Sequence, residues 1–146
     1  MEKQKQLILI SDYSKSPVPR YCSQGDDSGE DFYHNQLNEK FKISIDSDCK
    51  LVVNLDGPDG YASSFLDEAF GNLVYDFGLD KVSQHVEFIS NEEPEWIDMI
   101  VNETYVQWES RRVNIQPPKK TYEHEDWWRF NYDSNQSEKG KWTVKD

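Results

Sequence analysis

The stretch "DGPDGYASSFLDEAF" (residues 56–70) changes character abruptly after the apolar run "KLVVNL" at 50–55. Two glycines and a proline form a corner, and two adjacent serines open a segment with helical spacing. Phe65, Ala69, Leu73 and Phe77 recur every four residues, with Leu66, Phe70 and Val74 one step round. Such a wide stripe packs a helix against a sheet. The corner therefore joins a buried strand to a core-packing helix, and one of the serines is expected to cap that helix.

The flanks repeat this alternation. "LILIS" (7–11) reads as a fully buried strand, and "HVEFIS" (85–90) as a third strand. Between the first strand and "KLVVNL" lies a Pro-, Gly-, Ser- and Asp-rich loop, closed by Ser28 as an N-cap with Asp31 as a capping-box-like partner. Tyr33, Leu37 and Phe41 then give one apolar helix face, while "FKISID" (41–46) has some strand character. Pro94 opens a third helix carrying Trp96, Ile97, Ile100, Val101, Tyr105 and Trp108. Strands joined through helical crossovers imply an α/β sheet. The expected domain spans residues 1–113. "QPPKK" (116–120) reads as a linker to a C-terminal extension, 114–146.

Charge divides along the same line. The formal net charge is -12 over 146 residues. The extension holds six acids and six bases, so residues 1–113 account for the whole imbalance. Nucleic acid and anionic membranes are unsuitable partners for such a surface, which suits a basic protein instead. No apolar run reaches membrane-spanning length, and the short apolar stretch after "MEKQKQ" does not make a signal peptide. With two cysteines, Cys22 and Cys49, the expectation is reduced thiols in the cytoplasm. Dense aromatics in the extension imply burial against the domain, or a partner-binding arm anchored by Trp127, Trp128 and Trp142.

Catalytic patterns fail at the corner. Gly60 lies three residues before Ser63 and the next glycine is Gly71, so there is no nucleophile elbow. No lysine falls between Lys50 and Lys81, which excludes a Walker loop, and Gly57 and Gly60 lack a third partner for a dinucleotide fingerprint. His34, His85 and His124 are far apart in sequence, and neither cysteine has a neighbouring ligand at metal spacing. The residues thus indicate no enzyme, cofactor or metal site. Asp56 and Asp59 read as turn residues, and "EHED" (123–126) as a solvated charge cluster.

Taken together, "SPVPRYCSQGDDSGEDF" and "KLVVNLDGPDGYASSFLDEAFGNLV" resemble a bacterial STAS-like domain family of unassigned function, over roughly residues 7–105. The wider class is named for sulphate transporters and anti-sigma factor antagonists. The resemblance implies a mixed sheet with helices mainly on one face and a non-enzymatic docking role. In the antagonists, a histidine-kinase-type ATPase phosphorylates the first serine of an Asp-Ser-Ser-Gly-Leu-Gly loop. Ser63 falls on that serine, Ser64 on its neighbour, Leu66 on the leucine and Gly71 on a later glycine. Ala62 stands where the class has aspartate, and Phe65 and Asp67 replace the loop glycines. The resemblance makes Ser63 a candidate phosphorylation site. It marks Arg20, Tyr21, Ser28, Gly29, Glu30, Gly57, Gly60, Tyr61, Ser63, Ser64, Phe65 and Glu68 as partner-binding. The implied partner is a histidine-kinase-type ATPase; a basic target, met by an acidic inhibitor, is the alternative.

Overall fold

A computed structural model describes residues 5–142. Strands β1 (Gln6–Leu9), β2 (Leu51–Asn54) and β3 (Val86–Ile89) form one parallel sheet in that order. Leu7 pairs with Val52, and Val52 with Glu87. Ile8, Leu51 and Val53 point inward and are buried, whereas Leu7 and Ile89 face outward at 55% and 37% exposure. The expected strand at 7–11 is therefore corrected: it begins at Gln6, ends at Leu9 and buries one face. Ile10 already belongs to a helical turn, Ile10–Tyr13.

Helix α1 runs through Gly29–Phe32, a π-helical turn at Tyr33–Leu37, and Asn38–Asp46. Ser28 caps it by accepting the Asp31 amide at 3.0 Å. The Asp31 side chain turns instead to the Tyr13 hydroxyl and Asn35, so the reciprocal half of the capping box is replaced. Tyr33, Leu37 and Phe41 are fully buried, as their spacing requires. Residues 41–46 are helical despite Ile43 and Ile45. The Gln6 amide donates to the Lys40 carbonyl and the Ser44 hydroxyl, fastening this turn beneath β1.

Helix α2 (Ser63–Phe77) buries Phe65, Leu66, Ala69, Phe70, Leu73, Val74 and Phe77 completely. Gly78, at φ 90, turns the chain into α3 (Leu79–His85), a helix with no counterpart in the sequence reading. Helix α4 runs through Glu95–Met99, a π-helical turn at Ile100–Thr104, and Tyr105–Val113. It lays Trp108 directly over Gly71 of α2. Strands β4 (Trp127–Asn131) and β5 (Gln136–Gly140) form an antiparallel hairpin against α1 and α2. The architecture is thus mixed α/β, with helices on the inward face of the parallel sheet. Among the described residues, no helix is long and apolar enough to cross a membrane.

Candidate functional site

The corner after β2 is built from backbone hydrogen bonds. The Asp56 carboxylate accepts the Glu92 and Asn91 amides at 2.9 Å, tying this loop to the turn after β3, and those bonds lower its pKa. Gly57 sits at φ 111, where its missing side chain leaves room for Ser11. Asp59 and Ala62 donate their amides to the Lys15 and Pro17 carbonyls, laying the corner beside the 15–18 loop. Tyr61 donates its hydroxyl to the Leu55 carbonyl and packs near Trp96.

Neither serine caps α2, which corrects the expected role. Ala62 is the N-cap, held extended at φ -99 and ψ 139, and no side chain caps this end. Ser63 and Ser64 are already helical. The Ser64 hydroxyl lies 3.5 Å from the Val18 carbonyl. Ser63 is exposed, and its hydroxyl makes no hydrogen bond among the described residues. Gly60 borders open space and Val18 is 49% exposed, so this corner is accessible.

The residues expected to dock beside it have a different placement. Ser28, Glu30 and Phe65 are completely buried, and Glu68 is 1% exposed. Gly29 is buried as well, so close to the Phe65 carbonyl that a side chain there would collide with it. These five are corrected from surface contacts to parts of the scaffold. Arg20 reaches across to Asp67 at 2.7 Å and Glu68 at 3.1 Å, and Tyr21 lies beneath the Lys119 ammonium. Burial raises the Glu68 carboxyl, and the Asn72 and Arg20 hydrogen bonds only partly offset this.

Glu68 is the first of three polar side chains on a buried ridge of α2. Glu68, Asn72 and Asp76 stand at i, i+4 and i+8, one face of the helix, and each is at most 3% exposed. A cation from a distant segment meets each one. Arg20 binds Glu68, the Lys120 ammonium donates to Asn72 at 2.7 Å, and Arg129 donates to Asp76 at 2.8 Å. Burial lowers the Lys120 pKa against the pull of Asp76, Glu68 and Glu30. Asp76 also accepts the Tyr33 hydroxyl at 2.5 Å and the Trp127 indole at 3.1 Å.

Glu30 carries the same seam further. It accepts the Thr121 hydroxyl and the His124 ring at 2.6 Å each, together with the Thr121, Tyr122 and Cys22 amides. Burial favours the neutral acid, but these bonds prevail and hold the carboxyl well below the usual range. His34, distant from His124 in sequence, stacks on it with ring centroids 3.8 Å apart. Burial, with Lys120 nearby, pushes His34 down to about 2.

Trp127 is 3% exposed and packs inward, while Trp128 and Trp142 are half-buried against the core. Asn38 holds both the amide and the carbonyl of Trp128, and Trp142 donates to the Trp127 carbonyl. All three make contacts within the chain. The sequence reading did not single out Asn38, Asn72, Asp76, Lys120, Thr121 or His124 as parts of one site. A signal existed for two of them: Asn72 and Asp76 interrupt the apolar stripe of α2 at helical spacing from Glu68. Cys22 and Cys49 are free thiols, both buried.

No curated protein and no solved structure matches the chain significantly. Residues 28–96 match the family described as a STAS-like domain of unknown function. The match runs from the Ser28 cap through β2, the serine corner and α2 to the first turn of α4. Over that stretch, a little under half of the chain, the sequence is similar to that family.

Proposed function

We propose that this chain is a non-enzymatic regulatory module, working in the cytoplasm, that docks another protein at the corner where α2 begins. One observation carries the reading. Ser63 presents an exposed hydroxyl, with no hydrogen bond among the described residues, in the first turn of a 15-residue helix whose remaining length is largely buried. Phosphate added there would bring nearly two negative charges to an accessible helix N-terminus without disturbing the core. The donor is ATP, held by a histidine-kinase-type partner. Its γ-phosphoryl group passes to the Ser63 oxygen as the bond to the β-phosphate oxygen breaks, ADP leaves, and the hydroxyl proton passes to solvent. Gly57, Gly60, Tyr61, Ser64 and the rim formed by Arg20 and Tyr21 complete the docking surface. Incubation with the cognate kinase and ATP labels the wild-type protein and leaves Ser63→Ala unlabelled. Equal labelling of that variant overturns the switch.

A second reading, an acidic inhibitor of a basic protein, is favoured by the distribution of charge. Arg20, Arg112, Arg129 and Lys120 are engaged inside the chain. Asp26, Asp27, Asp59, Glu92, Glu93 and Glu95 remain exposed. Salt separates the two readings: charge-driven capture weakens steeply between low and physiological ionic strength, whereas docking at the corner changes little.

A further inference from the structure

Three segments remote in sequence bring Cys22, Glu30 and His124 together. One ligand atom from each lies within 4.8 Å of the others. Cys22 and Glu30 are buried and His124 is nearly so. We infer that these three side chains bind a divalent transition metal of the zinc class, and that the metal fastens the C-terminal segment to the start of α1.

The donor set suits that chemistry. A thiolate, an imidazole and a carboxylate are the three ligand types that zinc accepts, and three protein ligands leave a fourth position for water. Bonds of about 2.0–2.3 Å place tetrahedral ligand atoms roughly 3.3–3.7 Å apart. The Glu30 oxygen and the His124 Nε2 are now 2.6 Å apart, joined by a proton. A metal would take that proton's place, with the two atoms parting by less than about 1 Å.

The surroundings are arranged as an outer shell. The other Glu30 oxygen is fixed by the Thr121 hydroxyl at 2.6 Å and the Cys22 amide at 3.1 Å. The Ser28 hydroxyl donates to the Cys22 sulfur at 3.4 Å, which favours its thiolate. His34 stacks on His124 with planes 10° apart and so sets the orientation of the ring. A cleft of about 330 Å³ lined by Asp26, Asp27 and Asp31 opens onto Cys22, an acidic approach for a cation.

Binding is balanced by one proton. Burial keeps the Cys22 thiol protonated at neutral pH, and the metal releases that proton to solvent. Glu30 is already ionised, so its oxygen binds without giving up a proton. Affinity therefore rises with pH.

The test uses the full chain stripped with a chelator and titrated with Co²⁺ and then Zn²⁺. The expected result is one Co²⁺ per chain with an intense near-ultraviolet thiolate-to-cobalt band, which Zn²⁺ abolishes. Cys22→Ser loses the band, Cys49→Ser keeps it, and His124→Gln weakens Zn²⁺ binding by at least about tenfold. Far-ultraviolet circular dichroism establishes which variants fold, and His124→Gln decides the matter if Cys22→Ser does not. Absence of the band in the wild-type protein, its survival in folded Cys22→Ser, or unchanged Zn²⁺ affinity in folded His124→Gln overturns the inference.

Discussion

Helix α2 has two buried sides that obey different rules. Its apolar side, Phe65, Ala69, Leu73 and Phe77 with their neighbours, accepts any close-packed surface of the right shape. Its polar ridge, Glu68, Asn72 and Asp76, accepts only donors placed at hydrogen-bonding distance. Those donors come from 48 to 53 residues away in the sequence. The apolar side explains why the helix forms where it does. The polar ridge explains why one particular C-terminal segment lies over it, because an unmatched buried carboxylate is far costlier than a poorly filled apolar contact.

The sharpest way to break this contrast is at Asp76. Replacement by Ala strands the Tyr33, Trp127 and Arg129 donors, and is expected to cost about 3–5 kcal/mol. Urea denaturation measures this, and a loss below about 1 kcal/mol would show the ridge to be dispensable. On the opposite side of the comparison, Gly71→Ala drives a methyl group into the Trp108 ring. Overpacking of this kind costs about 1–3 kcal/mol, read from the same denaturation curves.

Glu68 distinguishes specificity from stability within the ridge. Its folded pKa is raised, so its contribution favours the folded state at acid pH and is lost as pH climbs past the ordinary carboxylate range. Glu68→Gln should match the wild-type protein near pH 4 and exceed it near pH 7, in denaturation curves collected at both values. A variant destabilised more at pH 7 than at pH 4 would mean that the Arg20 pairing outweighs burial. The smallest effect belongs to the corner: Ser63→Ala should alter stability by no more than about 0.5 kcal/mol, because the side chain touches nothing that holds the fold. A larger loss would make Ser63 structural and weaken its case as a switch.

Much of the apolar half was legible in the sequence. Periodicity located the three strands, α1, α2 and α4, and Ser28 announced the start of α1, because each of these signals is local. The hairpin 127–140 was not foreseen, although Trp128, Phe130 and Tyr132 alternate ahead of an Asp-Ser-Asn turn. Ser63 and Ser64 look like caps by residue type. Ala62 takes that position because its amide is held by Pro17, a contact across the fold. Metal-ligand spacing within any one segment indicated nothing, since Cys22, Glu30 and His124 meet only after folding. Glu30 resembled a docking residue, and its five donors span residues 22 to 124. What escaped the sequence is therefore mostly polar and long-range.

Buried acceptors on α1 hold the C-terminal segment as an integral layer of the molecule. Amide hydrogen exchange at Thr121, Tyr122 and Trp128 tests it directly, because these three amides donate to Glu30 and Asn38. Protection comparable to that of the α2 core amides is the predicted result. Exchange at the rate of an unstructured peptide would contradict it.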